Sequence, residues 1–383
     1  MNRNYKLKDF AQDVSIAVKD AQSSPFDRFV GLEHYDSGEP VIIRFTDTSL
    51  LSSSVKEFHA NDILIARRNV YLRRAGIAFF DGLTSGDSIV LRIYDDCEQR
   101  TGIPKEDAIK IIPFILNSNL FWAYANKHAD GMNSKRISKE MLYDYEFKLP
   151  SLAEQRVLAD KLWAAYHLKE SYRKLLASTQ EMVKSQFIEM FGNGNWEQKS
   201  LGEVGTFKRG GGFQKSDYVE HGIPCIHYGQ IHTKFGPFIY SHISEISSDL
   251  ATKTKFASKG DLIIAITSED AEGSCKSTAW LGDYPVAVGG HAAIYNHCMN
   301  PLYMSFFFKS TLFNHAKMEY IHGTKVVEIK PDDIAKILVP CPPMSLQEQF
   351  STIAQQADKS EFELRKSIEA IDKVIKSLIN ENL

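Results

Sequence analysis

Leu149-Pro150-Ser151-Leu152-Ala153-Glu154-Gln155 opens a stretch that runs to Phe191 without a glycine or a further proline after Pro150. Pro150 halts the preceding segment. Ser151 and Glu154 have capping-box spacing, in which the serine oxygen and the glutamate satisfy free N–H groups at a helix start. Beyond them Leu158, Leu162, Ala165, Lys169, Tyr172, Leu176, Thr179, Val183, Gln186 and Met190 alternate steps of four and three, the seam of a coiled coil. Gly192-Asn193-Gly194-Asn195 is the glycine-bearing stop expected after a last turn. A helix of about 40 residues is ~60 Å long, far beyond the usual globular length.

The same arrangement returns near the end of the chain. Ile137, Leu142, Leu149-Pro150, Leu152 and Glu154-Gln155 match Ile329, Ile334, Val339-Pro340, Leu346 and Glu348-Gln349. The copies lie roughly 194 residues apart, an internal duplication rather than a short-period solenoid. Ser345 with Glu348 repeats the capping box. Ile353, Ala357, Ser360, Leu364, Ser367, Ile371, Val374 and Leu378 repeat the seam, with Ile353 opposite Leu158 and Phe350 opposite Arg156.

The segments ahead of each helix are mixed, with short strand-like runs such as Pro40–Phe45, Asp62–Ala66, Ser88–Ile93, Gly260–Thr267 and Tyr284–Val288 between turn signals. They repeat more loosely. Phe58 with Asp62–Ala66 matches Phe256 with Asp261–Ala265, and Gly131 before Ile137 matches Gly323 before Ile329. The fold expected is α+β: two globular mixed α/β domains and two long helices in a pseudo-two-fold internal repeat. The expected bounds are 1–150 and 196–343 for the domains and 151–195 and 344–383 for the helices.

Helices of that length outreach a domain only a few tens of ångströms across. Each is therefore expected to pack against its copy and to offer its remaining face to a partner, with packing on its own domain as the plainer use. Leu158, Leu162, Tyr172, Leu176, Val183, Ile353, Leu364, Ile371 and Leu378 are the apolar positions assigned to that partner-binding role. Lys169, Thr179, Gln186, Ser360 and Ser367 keep the seams from being dry zippers, and polar seam positions set register at a cost in stability.

At 383 residues and 43% hydrophobic the chain can bury more than one core. A net charge of −3 excludes a uniformly basic protein, so any affinity for nucleic acid must come from local charge. Five scattered cysteines without a C-x-x-C support neither a disulfide framework nor a zinc site and fit a reducing cytosol. The N-terminus leads into no apolar signal region, and no run approaches the length of a membrane span, so a cytoplasmic protein is expected.

The densest positive charge is Arg67-Arg68-Asn69-Val70-Tyr71-Leu72-Arg73-Arg74. Arginine forks pair with phosphates or guanine edges, asparagine with adenine, and tyrosine can stack or bond to phosphate. A solvated basic loop is the competing reading. In the second half Lys208, Arg209 and Lys215 flank a glycine run, and Tyr228, Gln230, His232 and Thr233 follow, with Lys325 further on. One such loop per globular block makes accident less plausible than a single loop would.

Other chemistry fails on context. Gly210–Ser216 lacks the glycine that precedes the lysine of a nucleotide-binding P-loop. Phe191-Gly192-Asn193-Gly194 and Asn300-Pro301-Leu302-Tyr303 imitate methyltransferase boxes. The first closes a helix instead of following a strand, and the second has leucine where proline belongs. Pro331-Asp332 lacks the acidic-x-lysine partner of a nuclease. The histidines and cysteines show no ligand spacing, and no nucleophile–base pair stands out, so neither a metal site nor a catalytic residue is assigned.

The duplicated unit resembles the specificity (S) subunit of type I restriction–modification systems over essentially the whole chain. The resemblance rests on Leu149–Gln155 with Lys184-Ser185-Gln186-Phe187 and Met190-Phe191-Gly192, and on Pro342–Gln349. Val30–His34 and Phe79–Asp87 resemble one class of that family's target-recognition domains, and Leu201–Val204 with Gly222–Ile226 the other. It implies a non-catalytic reader of an asymmetric two-part sequence in double-stranded DNA, one target-recognition domain per half-site. The helices would pack antiparallel as a spacer. Two modification (methyltransferase) subunits bearing S-adenosylmethionine would dock on them, and restriction subunits with ATP and Mg²⁺ would join. A stand-alone DNA-modifying enzyme and a helix-mediated assembly scaffold without a nucleic-acid role are the alternatives. S-adenosylmethionine binding by the isolated chain would favour the first. A salt-sensitive shift of mixed DNA would exclude the second. If the helices act as a ruler, one added turn in each lengthens the preferred gap between half-sites by roughly 5.4 Å, about one and a half base-pair rises. Methylome sequencing reads that gap, and an unchanged gap overturns the ruler.

Overall fold

The computed structural model describes residues 3–383 except 19–20, 22–23, 49–50, 52–54, 133, 193 and 322–326. It divides into two compact units, Met1–Arg173 with Lys366–Leu383, and Lys174–Arg365. The long helices are Leu152–Phe191 and Met344–Asn382, and each contributes one half to each unit.

The first unit is built on a pair of apolar strands. Ile63–Ala66 and Ser88–Ile93 pair antiparallel at the centre of a five-stranded sheet ordered Ala11–Asp13, Ser88–Ile93, Ile63–Ala66, Ala75–Ala78, Val41–Ile42. Only the last pair is parallel. A second five-stranded sheet runs Ile16–Val18, Val55–Phe58, Gly82–Ser85, Arg28–Val30, Thr46–Asp47. Helices Lys105–Ile115 and Asn119–Lys127 cover the first sheet with Phe114, Phe121 and Trp122, all buried.

The second unit repeats most of this topology. Its first sheet is ordered Gly205–Arg209, Ala292–His297, Leu262–Ala265, Ser277–Trp280, Phe238–Ile239, again with only the last pair parallel. In its second sheet the run Lys255–Ala257, Val286–Val288, Ile223–Ile226, Ser244–Ile246 matches four strands of the first unit with the same directions. Among the described residues the edge strand of this sheet differs, Tyr218–Val219 lying at the opposite end of the order from Ile16–Val18. Even the polar detail recurs. Buried Asp62 accepts from the His59 N–H and from both arms of Arg92, while buried Asp261 accepts from the Ser258 N–H and from Asn296.

A two-stranded ribbon closes each domain, Arg3–Lys6 with Glu146–Leu149 and Gln198–Ser200 with Leu338–Pro340. The chain then turns into a long helix. Gln155 Nε2 donates to the Pro150 carbonyl at 2.8 Å, and Gln347 Nε2 donates to the Pro342 carbonyl at 2.8 Å; both glutamines are buried. Buried Gln347, not exposed Gln349, is thus the counterpart of Gln155. With that spacing Leu158 corresponds to Phe350, Leu162 to Ala354, Ala165 to Ala357 and Val183 to Ile375.

Three sequence expectations are corrected by this register. The second seam is Phe350, Ala354, Ala357 and Ile375, whereas Ile353 is only half-buried, Ser360 is exposed and Val374 is 53% exposed. Arg156 corresponds to Glu348, so the apparent replacement by Phe350 is a matter of alignment. The Ser151–Glu154 capping box is present, with Glu154 Oε2 accepting from the Ser151 N–H at 2.9 Å. The second helix begins at Met344, which puts Ser345 inside the first turn and Pro343 in the place of Ser151.

Within each unit the helix halves run antiparallel. In the first, Leu158, Leu162 and Tyr166 share the core with Ile375 and Ile379, and Lys169 bonds Asp372. In the second, Phe187 and Phe191 pack edge-on against Phe350, with ring centroids 5.2 and 5.7 Å apart, and Gln180 donates to Glu361. The polar seam residue Lys169 is 2% exposed and binds both oxygens of Glu39 at 2.8 and 2.7 Å as well as Asp372. Arg173 completes the cluster on Glu39 at 2.7 Å. Replacing Lys169 with methionine leaves Glu39 without its buried cation and should cost about 3–5 kcal/mol in urea unfolding. Adding Glu39→Gln should recover most of that loss; equal losses in the single and double variants would contradict a paired-charge role.

Candidate nucleic-acid interface

In the first unit the basic loop leaves the central strand after Ala66 and is closed by the Ala66 N–H donating to the Arg74 carbonyl. Asn69 and Arg73 adopt left-handed φ values of 54° and 52°, bracketing a tight turn whose Val70 is buried. Such φ values are unusual for arginine, and they aim successive side chains in different directions. Arg73 donates to Asn119 Oδ1, and Tyr71 stands 62% exposed on the turn. Arg74 donates to the Leu32 and Arg68 carbonyls, and burial lowers its pKa. It is part of the scaffold rather than of the surface.

Arg67 and Arg68 meet residues from distant parts of the sequence. The loop is stitched to 134–137 by the Asn69 N–H to Lys135 and Ile137 N–H to Arg67 main-chain bonds, which bring Arg68 and Arg136 into a β-bridge. Arg67, Arg68 and Arg136 converge on the carboxylate of Asp87 at 4.0, 3.4 and 3.6 Å. Arg68 Nε also donates to Ser134 Oγ, whereas the buried Arg67 Nε has no hydrogen-bond partner among the described residues. Lys56 and Lys139 line the adjoining cleft with Arg67, Arg136 and Asp13. Burial pushes the Lys56 ammonium below its ordinary pKa, and Arg67 adds to the effect. Lys56, Asp87, Arg136 and Lys139 are not among the residues that the sequence pattern singles out. A weak signal exists, since Lys135-Arg136 directly precedes the landmark Ile137.

In the second unit the same place carries different groups. Thr267 pairs with Glu328 where the first unit pairs Arg68 with Arg136, and His291 precedes its strand as Asp87 precedes Ser88. Thr267 Oγ1 bonds His291 Nδ1 at 3.2 Å, and its carbonyl bonds His232 Nε2 at 3.1 Å. The Tyr228 ring lies 4.5, 5.1 and 6.0 Å from those of His227, His291 and His232. Burial holds the His227 pKa below the usual range, with Lys215 and His291 adding repulsion. Arg209 reaches Glu328 at 3.2 Å and the Gly290 carbonyl at 3.0 Å, while Lys208 and Lys215 are exposed.

Some second-half candidates prove to be scaffold. Gln230 accepts from the His227 N–H and donates to Ser244, and Thr233 Oγ1 donates to the Gly229 carbonyl; both hold the short helix Tyr228–Thr233. The glycine run has a packing reason, since a Cβ on Gly210 would lie 2.3 Å from the Gly289 carbonyl oxygen and one on Gly211 2.4 Å from Thr254. Lys325 lies outside the described residues.

On the helices, Leu158 and Leu162 belong to the first unit's core and Val183 to the second's, so a partner cannot reach them. Tyr172, Leu176, Ile353, Leu364, Ile371 and Leu378 are half-buried. The apolar residues of the first helix that face outward are Val157, Leu168, Leu175 and Met182, 46–55% exposed. Among the described residues no helix is long and apolar enough to cross a membrane, and no group of three metal-ligating side chains gathers.

Residues 193–372 match the family described as the type I restriction modification DNA specificity domain. The chain is 20% identical over 281 residues to the type I restriction enzyme MjaVIII specificity subunit of Methanocaldococcus jannaschii, a match spanning 67% of this chain and 66% of the relative's length. Among solved structures, the type I restriction–modification S subunit from M. genitalium superposes with a TM-score of 0.56 at 12% identity, covering 99% of this chain and 95% of that one. A chain from "Structural basis underlying complex assembly and conformational transition of the type I R-M system" gives 0.56 at 16% identity, covering 100% and 97%. The structural likeness is one of fold, and it extends over both copies of the duplicated unit. The second half thus matches the type I restriction modification DNA specificity domain, and the fold of the whole chain is like that of the solved S subunit.

Proposed function

We propose that the chain reads a two-part DNA sequence, with the loop end of each unit's central strand pair reading one half. One observation carries this reading. The β-scaffold is the same in both units, yet the matching bridge holds Arg68–Arg136 in one and Thr267–Glu328 in the other. Two like frames with unlike tips suit an asymmetric target. The family role is DNA target recognition, and the chain is the reading subunit rather than the catalyst. In this reading methyltransferase subunits supply S-adenosylmethionine, and restriction subunits supply ATP and Mg²⁺ chemistry. The methyltransferase subunits dock on outward-facing helix residues, with Leu168, Leu175 and Met182 at heptad spacing as anchors.

Two outcomes test it. Arg67→Ala and Arg136→Ala should each weaken DNA binding about tenfold or more. Arg74→Ala should instead lower the unfolding temperature, because its partners are backbone carbonyls. Unchanged affinities would remove the first unit's tip from the interface. For docking, Leu168→Asp with Leu175→Asp should abolish co-purification with the modification subunit while leaving thermal unfolding in place. Retained co-purification would move the docking surface elsewhere.

A further inference from the structure

Asp87 lies at the centre of the first unit's basic tip, and its charge is unexpected at a surface meant for phosphates. Left exposed, a carboxylate there repels DNA; removing it would be the simplest way to raise affinity. Instead three guanidiniums from two distant segments converge on it at 3.4–4.0 Å, with the Asp87 side chain 26% exposed and those of the arginines 39–44% exposed. The backbone around Asp87 is held as well, since the Arg67 N–H donates to the Asp87 carbonyl and the Asp87 N–H to Ser85 Oγ. Arg68 is further fixed by Ser134, and Arg67 keeps a buried Nε without a hydrogen bond among the described residues.

We infer that Asp87 is a specificity-determining positioning residue, which turns Arg67, Arg68 and Arg136 from mobile phosphate-seeking charges into directed forks for guanine edges. An unrestrained arginine satisfies any nearby phosphate. One whose fork is oriented by a carboxylate presents its remaining donors along a fixed direction, the geometry that a guanine O6/N7 pair matches. The half-site read by the first unit should therefore contain guanine at positions facing these arginines. In the second unit His291 takes the place of Asp87 and Thr267 that of Arg68, so its tip works without this device. Its half-site should not depend on it. This inference rests on the DNA-reading function proposed above.

The test uses the chain assembled with its modification subunit. Its half-sites come from methylome sequencing, and its affinities from titration of cognate DNA, DNA with guanines replaced in the first half-site, and mixed-sequence DNA at several salt concentrations. Asp87→Asn should reduce discrimination at the first half-site about tenfold. It should also raise affinity for mixed DNA and steepen the salt slope by about one unit. Discrimination at the second half-site should stay as it was. Arg68→Lys and Arg136→Lys keep the charge but lose the fork, so they should preserve the salt slope while losing guanine discrimination. If Asp87→Asn weakens cognate and mixed DNA alike without changing the slope, Asp87 only supports the fold. If the lysine variants still discriminate, the arginines are plain phosphate contacts. Absence of salt-dependent binding by the unsubstituted assembly would instead overturn the DNA-reading proposal itself.

Discussion

Each long helix begins at a buried glutamine amide that donates to the carbonyl of a proline five residues earlier. Burying an amide N–H is costly unless it is bonded, and this bond lets the Gln155 and Gln347 side chains sit inside at the turn. That turn fixes the phase of the helix relative to the ribbon behind it. The phase in turn decides that Leu158, Leu162 and Tyr166 enter one core and Phe350, Ala354 and Ala357 the other. Everything downstream, including which apolar side chains remain outside for a partner, follows from it.

Duplication has preserved what the frame requires and released what it does not. A central antiparallel strand pair must place apolar residues on faces covered by helices and the second sheet, so Ile63–Ala66 and Leu262–Ala265 stay alike. The aspartate bracing each strand pair, Asp62 or Asp261, persists although its partner changes from Arg92 to Asn296. Residues at the far end of the same strands meet solvent and obey no packing rule. There one copy carries arginines around Asp87, and the other carries threonine, histidine and tyrosine. The polar seam shows the same freedom: Lys169 is neutralised by Glu39 and Asp372 in the first unit, and the equivalent Glu361 bonds Gln180 in the second.

Much of this architecture is legible in the chain's letters. Forty residues without glycine or proline and with a four-three apolar pattern can hardly be anything but a long helix, and a duplicated entry motif implies a duplicated fold. The register of the second helix is misread from sequence because Glu348-Gln349 copies the letters of Glu154-Gln155, while the residue in the equivalent place is Gln347. Letters alone cannot say which of two nearby glutamines is buried. In the same way Arg74 reads as a surface cation because its loop is basic, and its carbonyl partners at Leu32 and Arg68 lie beyond any sequence pattern.

Spacing and composition were thus enough for the existence of the two long helices, the repeat and the basic loop of the first half. All of these are local properties of the chain. That Arg67 and Arg68 act with Arg136, that Asp87 stands among them, and that His291 and Thr267 hold the same places in the other unit emerges only on folding. Such groupings join segments far apart in the chain. They come from the pairing of strands and from a loop stitched to the segment ahead of the long helix, which no local pattern encodes.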